Sequence, residues 1–130
     1  MARYGANLHA APPEWRRVPV ATVDEAMTLI EAAFWRHYEK NERMRAALAG
    51  KDRRILLDLE GDARSVVVRD GKIVEVRRGP VEAPDVVLRA KPVDFLDIVN
   101  KRLHPLKAYM EGRVKVKAPM RDLLLVKAFL

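Results

Sequence analysis

From residue 23 to residue 48 apolar side chains recur every three or four positions: Val23, Met27, Ile30, Phe34 and Tyr38, then Met44 and Leu48. That spacing draws one apolar stripe along a helix. Thr22-Val23-Asp24-Glu25 opens the helix as a capping box, with a hydroxyl at the N-cap and Glu three residues on. Gly50 is the expected stop, just after Ala49, and Lys40-Asn41 offers a break into two helices. At residue 55 the period drops to two. Ile55, Leu57 and Leu59 alternate with polar neighbours, as do Val66 and Val68, then Val74 and Val76. Asp70-Gly71 between the last two runs predicts a two-residue hairpin, because a type I′ turn needs positive φ at both central positions. Glu60-Gly61-Asp62 predicts a second turn. The result is a three-stranded antiparallel meander with Asp58, Glu60, Arg69, Glu75 and Arg77 turned to water.

Gly79-Pro80 and Ala83-Pro84 bracket a connection, and Asp85–Ala90 reads as a fourth strand. Pro92 suits the first turn of a short helix whose apolar face is Phe95, Ile98 and Val99. Asp94 and Asp97 near its start read either as a carboxylate pair for acid–base work or as charge favourable to a helix N-terminus. The second reading carries more weight. His104-Pro105 opens another short helix through Tyr109, and Gly112 ends it. Arg113–Lys117 alternates cleanly, with its three cations on one side. They form a basic stripe for phosphates or head groups, or the charged guard of an edge strand. A last helix starts at Pro119. Its run Leu123-Leu124-Leu125-Val126 is more apolar than one packed face requires. Residues 1–21 are Pro-rich and read either as a disordered leader or, the favoured reading, as an arm that packs across the domain through Trp15; residues 22–130 form the domain. The order of elements predicts an α+β fold: a five-stranded mixed sheet (antiparallel meander, crossover, two further strands) with helices covering one face.

Composition narrows the chemistry. A chain of 130 residues makes one domain with a real core. It has no cysteine, so no disulfide, thiolate nucleophile or thiolate metal site. Ser65 is the lone serine and sits in a strand without a Gly-flanked elbow, which argues against a serine hydrolase. His9, His37 and His104 lack ligand spacing, and His37 falls near the apolar stripe, where a packed core histidine is expected; no metal and no cofactor are predicted. Dinucleotide and P-loop fingerprints are missing, so the chain reads as non-catalytic. The N-terminus has no secretory signal core and no run approaches a membrane span, which makes the cytoplasm the default location. Many charged residues, with glutamine absent, suggest a thermophile. The net charge of +7 permits nucleic acid, anionic head groups or phosphorylated molecules as partners, or only a solvated surface. No recognition helix or base-stacking strand supports nucleic acid.

The segment DFLDIVNKRLHPLKAYMEGRVKVKAPMRDLLLVKAFL resembles the sterol carrier protein type two family. Asp94-Phe95 stands at the family's first element and Leu103-His104-Pro105 at its second. Lys107–Lys117 follows its K-A-F/Y-M-x-G-K/R run almost position by position. Lys101, His104 and Ala118-Pro119 depart from the usual Gly, Asn or Asp, and Gly-containing turn. The resemblance implies a lipid held in an apolar tunnel between sheet and helices. It implies a wall of Tyr109, Met110, Met120, Leu123, Leu124 and Phe129, helped by Phe95, Ile98, Val99 and Leu103. Leu57, Val66 and Leu88 of the sheet and Ile30 and Phe34 of the long helix complete it. Arg36, Lys101, Arg102 or Arg121 would attract a carboxylate, a CoA phosphate or an anionic membrane surface. A fatty acid, acyl-CoA or isoprenoid chain is expected ahead of a sterol. The rival readings are an accessory subunit, homodimeric or bound to a lipid-biosynthetic or acyl-transfer enzyme, and, last, a nonspecific nucleic-acid binder.

Overall fold

The computed structural model describes residues 18–120 and residue 122. Two helices come first, α1 (Val23–Lys40) and α2 (Glu42–Leu48). Three strands follow, β1 (Arg53–Leu59), β2 (Asp62–Arg69) and β3 (Lys72–Arg78). After a crossover come β4 (Val86–Ala90), α3 (Pro92–Val99), α4 (Pro105–Met110) and β5 (Val114–Lys117). The sheet order is β3-β2-β1-β4-β5, with β1 and β4 parallel and every other pair antiparallel. The α+β fold with a five-stranded mixed sheet is the one the sequence predicts.

Local chemistry explains the element boundaries. Thr22 Oγ1 accepts from the Glu25 N–H, and Glu25 accepts in return from the Thr22 N–H, so the capping box is complete. Backbone N–H groups of Ala21 and Thr22 hold the Glu25 carboxyl below its usual range. Asn41 makes the break between the helices. Its N–H closes α1 on the His37 carbonyl, and its Oδ1 accepts from the Met44 N–H at 3.0 Å to open α2. Arg45 Nη1 then bridges the carbonyls of Tyr38 and Glu39 across the corner. Both hairpins have the expected turns: φ is positive at Glu60 and Gly61 and again at Asp70 and Gly71.

Two expectations need correction. Val74 and Val76 do not share a face. The β2–β3 register shifts by one residue beside Val67 and Val68, so Val74 is left over as a bulge. Ile73 and Val76 pack inward while Val74 is exposed. The outward face of the meander is also not simply wet, because Ser65 and Val67 on it are buried. The crossover is tied onto that face. Ser65 Oγ donates to the Gly79 carbonyl at 2.6 Å, Arg77 to the Pro80 carbonyl, and Arg54 to the Glu82 carbonyl.

The segment before α1 is clamped to the far end of α3. Asn100 Oδ1 accepts from the Val20 N–H, and Asn100 Nδ2 donates to the Val20 carbonyl, both at 2.9 Å. Trp15, expected to anchor the arm, lies outside the described residues.

Candidate functional site

Strand periodicity puts Ile55, Leu57 and Leu59 of β1 on one face with Val66 and Val68 of β2 and Leu88 and Ala90 of β4. The stripe of α1, with Val23, Met27 and Ile30, lies on them, and Phe95 of α3 joins the same cluster. Of the wall expected from sequence, Ile30, Leu57, Val66, Leu88 and Phe95 therefore come together. Leu103 is buried, and Ile98 and Val99 are half-buried on α3. Phe34, one turn beyond Ile30, is half-buried and stacks on Tyr38 with ring centroids 5.6 Å apart. Trp35 meets both rings edge-on. The periodic stripe did not include Trp35, so this aromatic cluster was only partly visible in the sequence.

Tyr109, Met110 and Met120 lie on the surface. Tyr109 is 52% exposed, Met110 76% and Met120 77%. Ala108 is the residue α4 turns inward, and that phase carries Tyr109 and Met110 out to solvent. Leu123, Leu124, Phe129 and the cation Arg121 fall outside the described residues. Arg36, Lys101 and Arg102 are exposed.

The inward face is not sealed. Ile30, Phe34, Leu88, Phe95, Ile98 and Val99 all keep partial accessibility. Among the described residues, the largest side chains with almost no exposure are Leu59 and Ser65. A close-packed interior would bury the larger residues of facing helices and strands more completely.

Charge pairs fix the frame around this face. Arg64 is buried, with Nε 2.7 Å from Asp62 Oδ1 and Nη1 on Asp24 of α1. Arg78 reaches the other oxygen of Asp24, so two sheet arginines pin the start of α1. Arg53 at the head of β1 makes a bidentate pair with buried Asp122, at 2.7 and 2.8 Å. Asp94 is buried and paired to Arg113 at 2.7 Å, which joins α3 to the approach to β5. Its role is this tie between elements, and Arg113 is drawn out of the basic stripe to make it.

The Arg64 guanidinium holds the Asp62 carboxyl below its usual range, chiefly by hydrogen bonding. A carboxylate lowered on folding stabilises the fold above its unfolded pKa, and that contribution is lost as pH falls through the folded value. Asp62→Asn is therefore expected to flatten the loss of stability as pH drops from about 5 toward 3. Urea midpoints across that range check it; an unchanged acid limb would show that Asp62 is not a source of the loss.

Two cavities among the described residues are lined largely by charged residues. One of about 680 Å³ lies between Asp58, Glu60, Arg89, Lys91, Asp94, Arg113 and their neighbours. Another of about 280 Å³ lies beside Asp24, Glu31, Arg64 and Arg78. Among the described residues there is no cluster of three or more His, Asp or Glu that would hold a metal ion, and no helix is long and apolar enough to cross a membrane.

A family model described as the SCP-2 sterol transfer family matches residues 30–130. No curated protein matches the chain. Among solved structures, a double mutant of a sec-alkylsulfatase aligns at 18% identity and a TM-score of 0.52 over 61% of this chain, which spans 13% of the sulfatase's length. Sterol Carrier Protein 2 Like 2 from Aedes aegypti aligns in its crystal structure at 17% identity and a TM-score of 0.62, covering 83% of this chain and 95% of that one. The palmitated form of that protein in solution aligns at 16% and 0.60, covering 82% and 91%. UbiJ-SCP2, a ubiquinone synthesis protein, aligns at 14% and 0.53, covering 84% and 91%. At these identities the structural matches establish a shared fold.

Proposed function

We propose, because this chain belongs to the SCP-2 sterol transfer family, that it binds and carries a lipid with one long apolar chain, without catalysing a reaction. The observation that carries the reading is the incomplete burial of Ile30, Leu88 and Phe95 on the inner cluster, shared by Phe34, Ile98 and Val99 at helical spacing from them. Their partial exposure supports a tunnel in the space between α1, α3 and the sheet. Leu57 and Val66 form its floor. The family likeness assigns the rest of the wall, and with it the closing of the tunnel, to the apolar sequence from Pro119 onward, with Leu123, Leu124 and Phe129. Tyr109 and Met110 are not part of this wall. The ligand is a fatty acid or acyl-CoA, or an isoprenoid, ahead of a sterol. Each buried CH₂ stabilises the complex by about 0.8 kcal/mol, so a long acyl chain supplies useful affinity without a polar anchor. The palmitated Aedes aegypti protein supports the acyl choice.

Native mass spectrometry of the purified protein, followed by organic extraction, tests the reading. A stoichiometric co-purifying lipid is the expected result. A clean apo mass together with no uptake of a fluorescent fatty acid would overturn it. Ile30→Trp separates a tunnel from a dry core. In a tunnel the indole occupies ligand space, and fatty-acid affinity falls about tenfold or more with little change in stability. In a filled core the same insertion costs about 1–3 kcal/mol of stability.

A second reading, an accessory subunit that docks a partner in the same groove, draws support from the likeness to the ubiquinone synthesis protein. Co-purification with a biosynthetic enzyme, and no lipid, would favour it.

A further inference from the structure

Residues 101–117 hold six cationic side chains, Lys101, Arg102, Lys107, Arg113, Lys115 and Lys117, against one acid, Glu111. Five of the seven excess positive charges of the chain therefore fall in this short segment. All six cations are exposed, although Arg113 is drawn to Asp94 and Glu111. In the middle of the segment lies α4. With Ala108 inward, α4 turns Leu106, Tyr109 and Met110 outward. These residues lie within an arc of roughly 100°. They are 53%, 52% and 76% exposed.

We infer that α4 seats the chain on an anionic bilayer surface. Leu106 and Met110 enter the boundary between head groups and acyl chains, and Tyr109 sits at head-group level. Lys107, on α4 itself, holds a lipid phosphate, and the net positive charge of residues 101–117 adds to the attraction.

Three physical points choose this occupant. An apolar helix face flanked by cations partitions into the interface of anionic membranes. A tyrosine, apolar in body and polar at its tip, fits that depth. A protein partner needs roughly 20–30 residues a side for a stable interface, far more than this face offers. A bilayer accepts a shallow insertion because each nearby Lys or Arg adds about fivefold in partitioning through the surface potential. Nucleic acid would use the cations and leave the three apolar side chains without a role. The inference goes beyond the carrier reading and does not depend on a filled tunnel.

Vesicle flotation tests it, using neutral phosphatidylcholine vesicles and vesicles of equal parts phosphatidylcholine and phosphatidylglycerol. The full chain is compared with Leu106→Ser/Lys107→Gln, and fluorescent fatty-acid uptake and thermal stability are measured on the same samples. The native chain is expected to float with anionic vesicles, to be released by high salt, and to stay behind with neutral ones. The double variant loses partitioning about tenfold or more, with stability and fatty-acid uptake unchanged. Equal flotation of the variant, equal flotation on neutral vesicles, or none at all overturns the inference. Dimerisation on sizing without vesicle binding also overturns it, by giving the face to a second copy. Flotation without fatty-acid uptake would leave the docking surface standing and sink the carrier reading.

Discussion

Arg53→Met lowers the stability of the chain by about 3 kcal/mol. The substitution takes a bidentate guanidinium away from a buried carboxylate. Breaking a buried pair costs about 3–5 kcal/mol, and the partial exposure of Arg53 puts the effect at the lower end. Hydrogen bonding to Asp122 raises the Arg53 pKa further, so this cation stays charged at any working pH. The pair is also the tie between the first residue of β1 and the start of the chain's last segment. Under the proposed closure by the segment from Pro119 onward, a bound fatty acid leaves faster in the variant than in the native chain. Urea midpoints give the first quantity and stopped-flow release of a fluorescent fatty acid the second. A stability loss with unchanged release would make the pair a clamp on the fold alone and remove the last segment from the closing role.

Gly71→Ala is expected to cost about as much, for a different reason. Gly71 has φ +75°, and a Cβ there would lie 2.5 Å from the Leu48 carbonyl oxygen and 2.7 Å from Leu48 Cβ. The left-handed backbone costs an L-residue about 1–2 kcal/mol, and overpacking adds about 1–3. The backbone cannot easily yield, because the Gly71 N–H is bonded to the Lys51 carbonyl and the Gly50 N–H to Asp70 Oδ1. Gly61→Ala is the control. Its φ is +92°, but nothing lies within 4 Å of the added carbon, so only the conformational part is lost. Equal effects from the two substitutions, read from denaturation midpoints, would show that the contact with Leu48 does not matter.

The features that sequence made legible are local ones. The α1 stripe, the break at Lys40-Asn41 and both hairpins depend on residues a few positions apart, and all were readable. Val74 was misplaced because alternation cannot detect a single extra residue in one strand. Burial of Ser65 and Val67 was hidden because it depends on where the crossover runs, and nothing within β2 records that. The Arg53–Asp122, Arg64–Asp24 and Asp94–Arg113 pairs join residues 19 to 69 positions apart, beyond any local pattern. At the candidate site, period marked which residues of α1, the sheet and α3 face inward, and the family likeness supplied their reading as a wall. Tyr109 and Met110 were assigned to the wall by family likeness, while the helical phase set by Ala108 puts them on the surface.

The Asn100 clamp on Val20 has a consequence for synthesis. A ribosome adds roughly 5–20 residues per second. The 80 residues between the two partners therefore take about 4–16 s to emerge. The β1–β2–β3 meander, closed by two short turns, can form within that wait. The open edge of β1 stays unpaired until β4 appears, and Val20 stays undocked until α3 is complete. The segment leading into α1 leaves the ribosome early, yet it is among the later parts of the described fold to settle. A nascent chain stalled before Val86 should expose both the β1 edge and this leading segment to chaperones, and one whose residues through β5 have left the ribosome should expose neither.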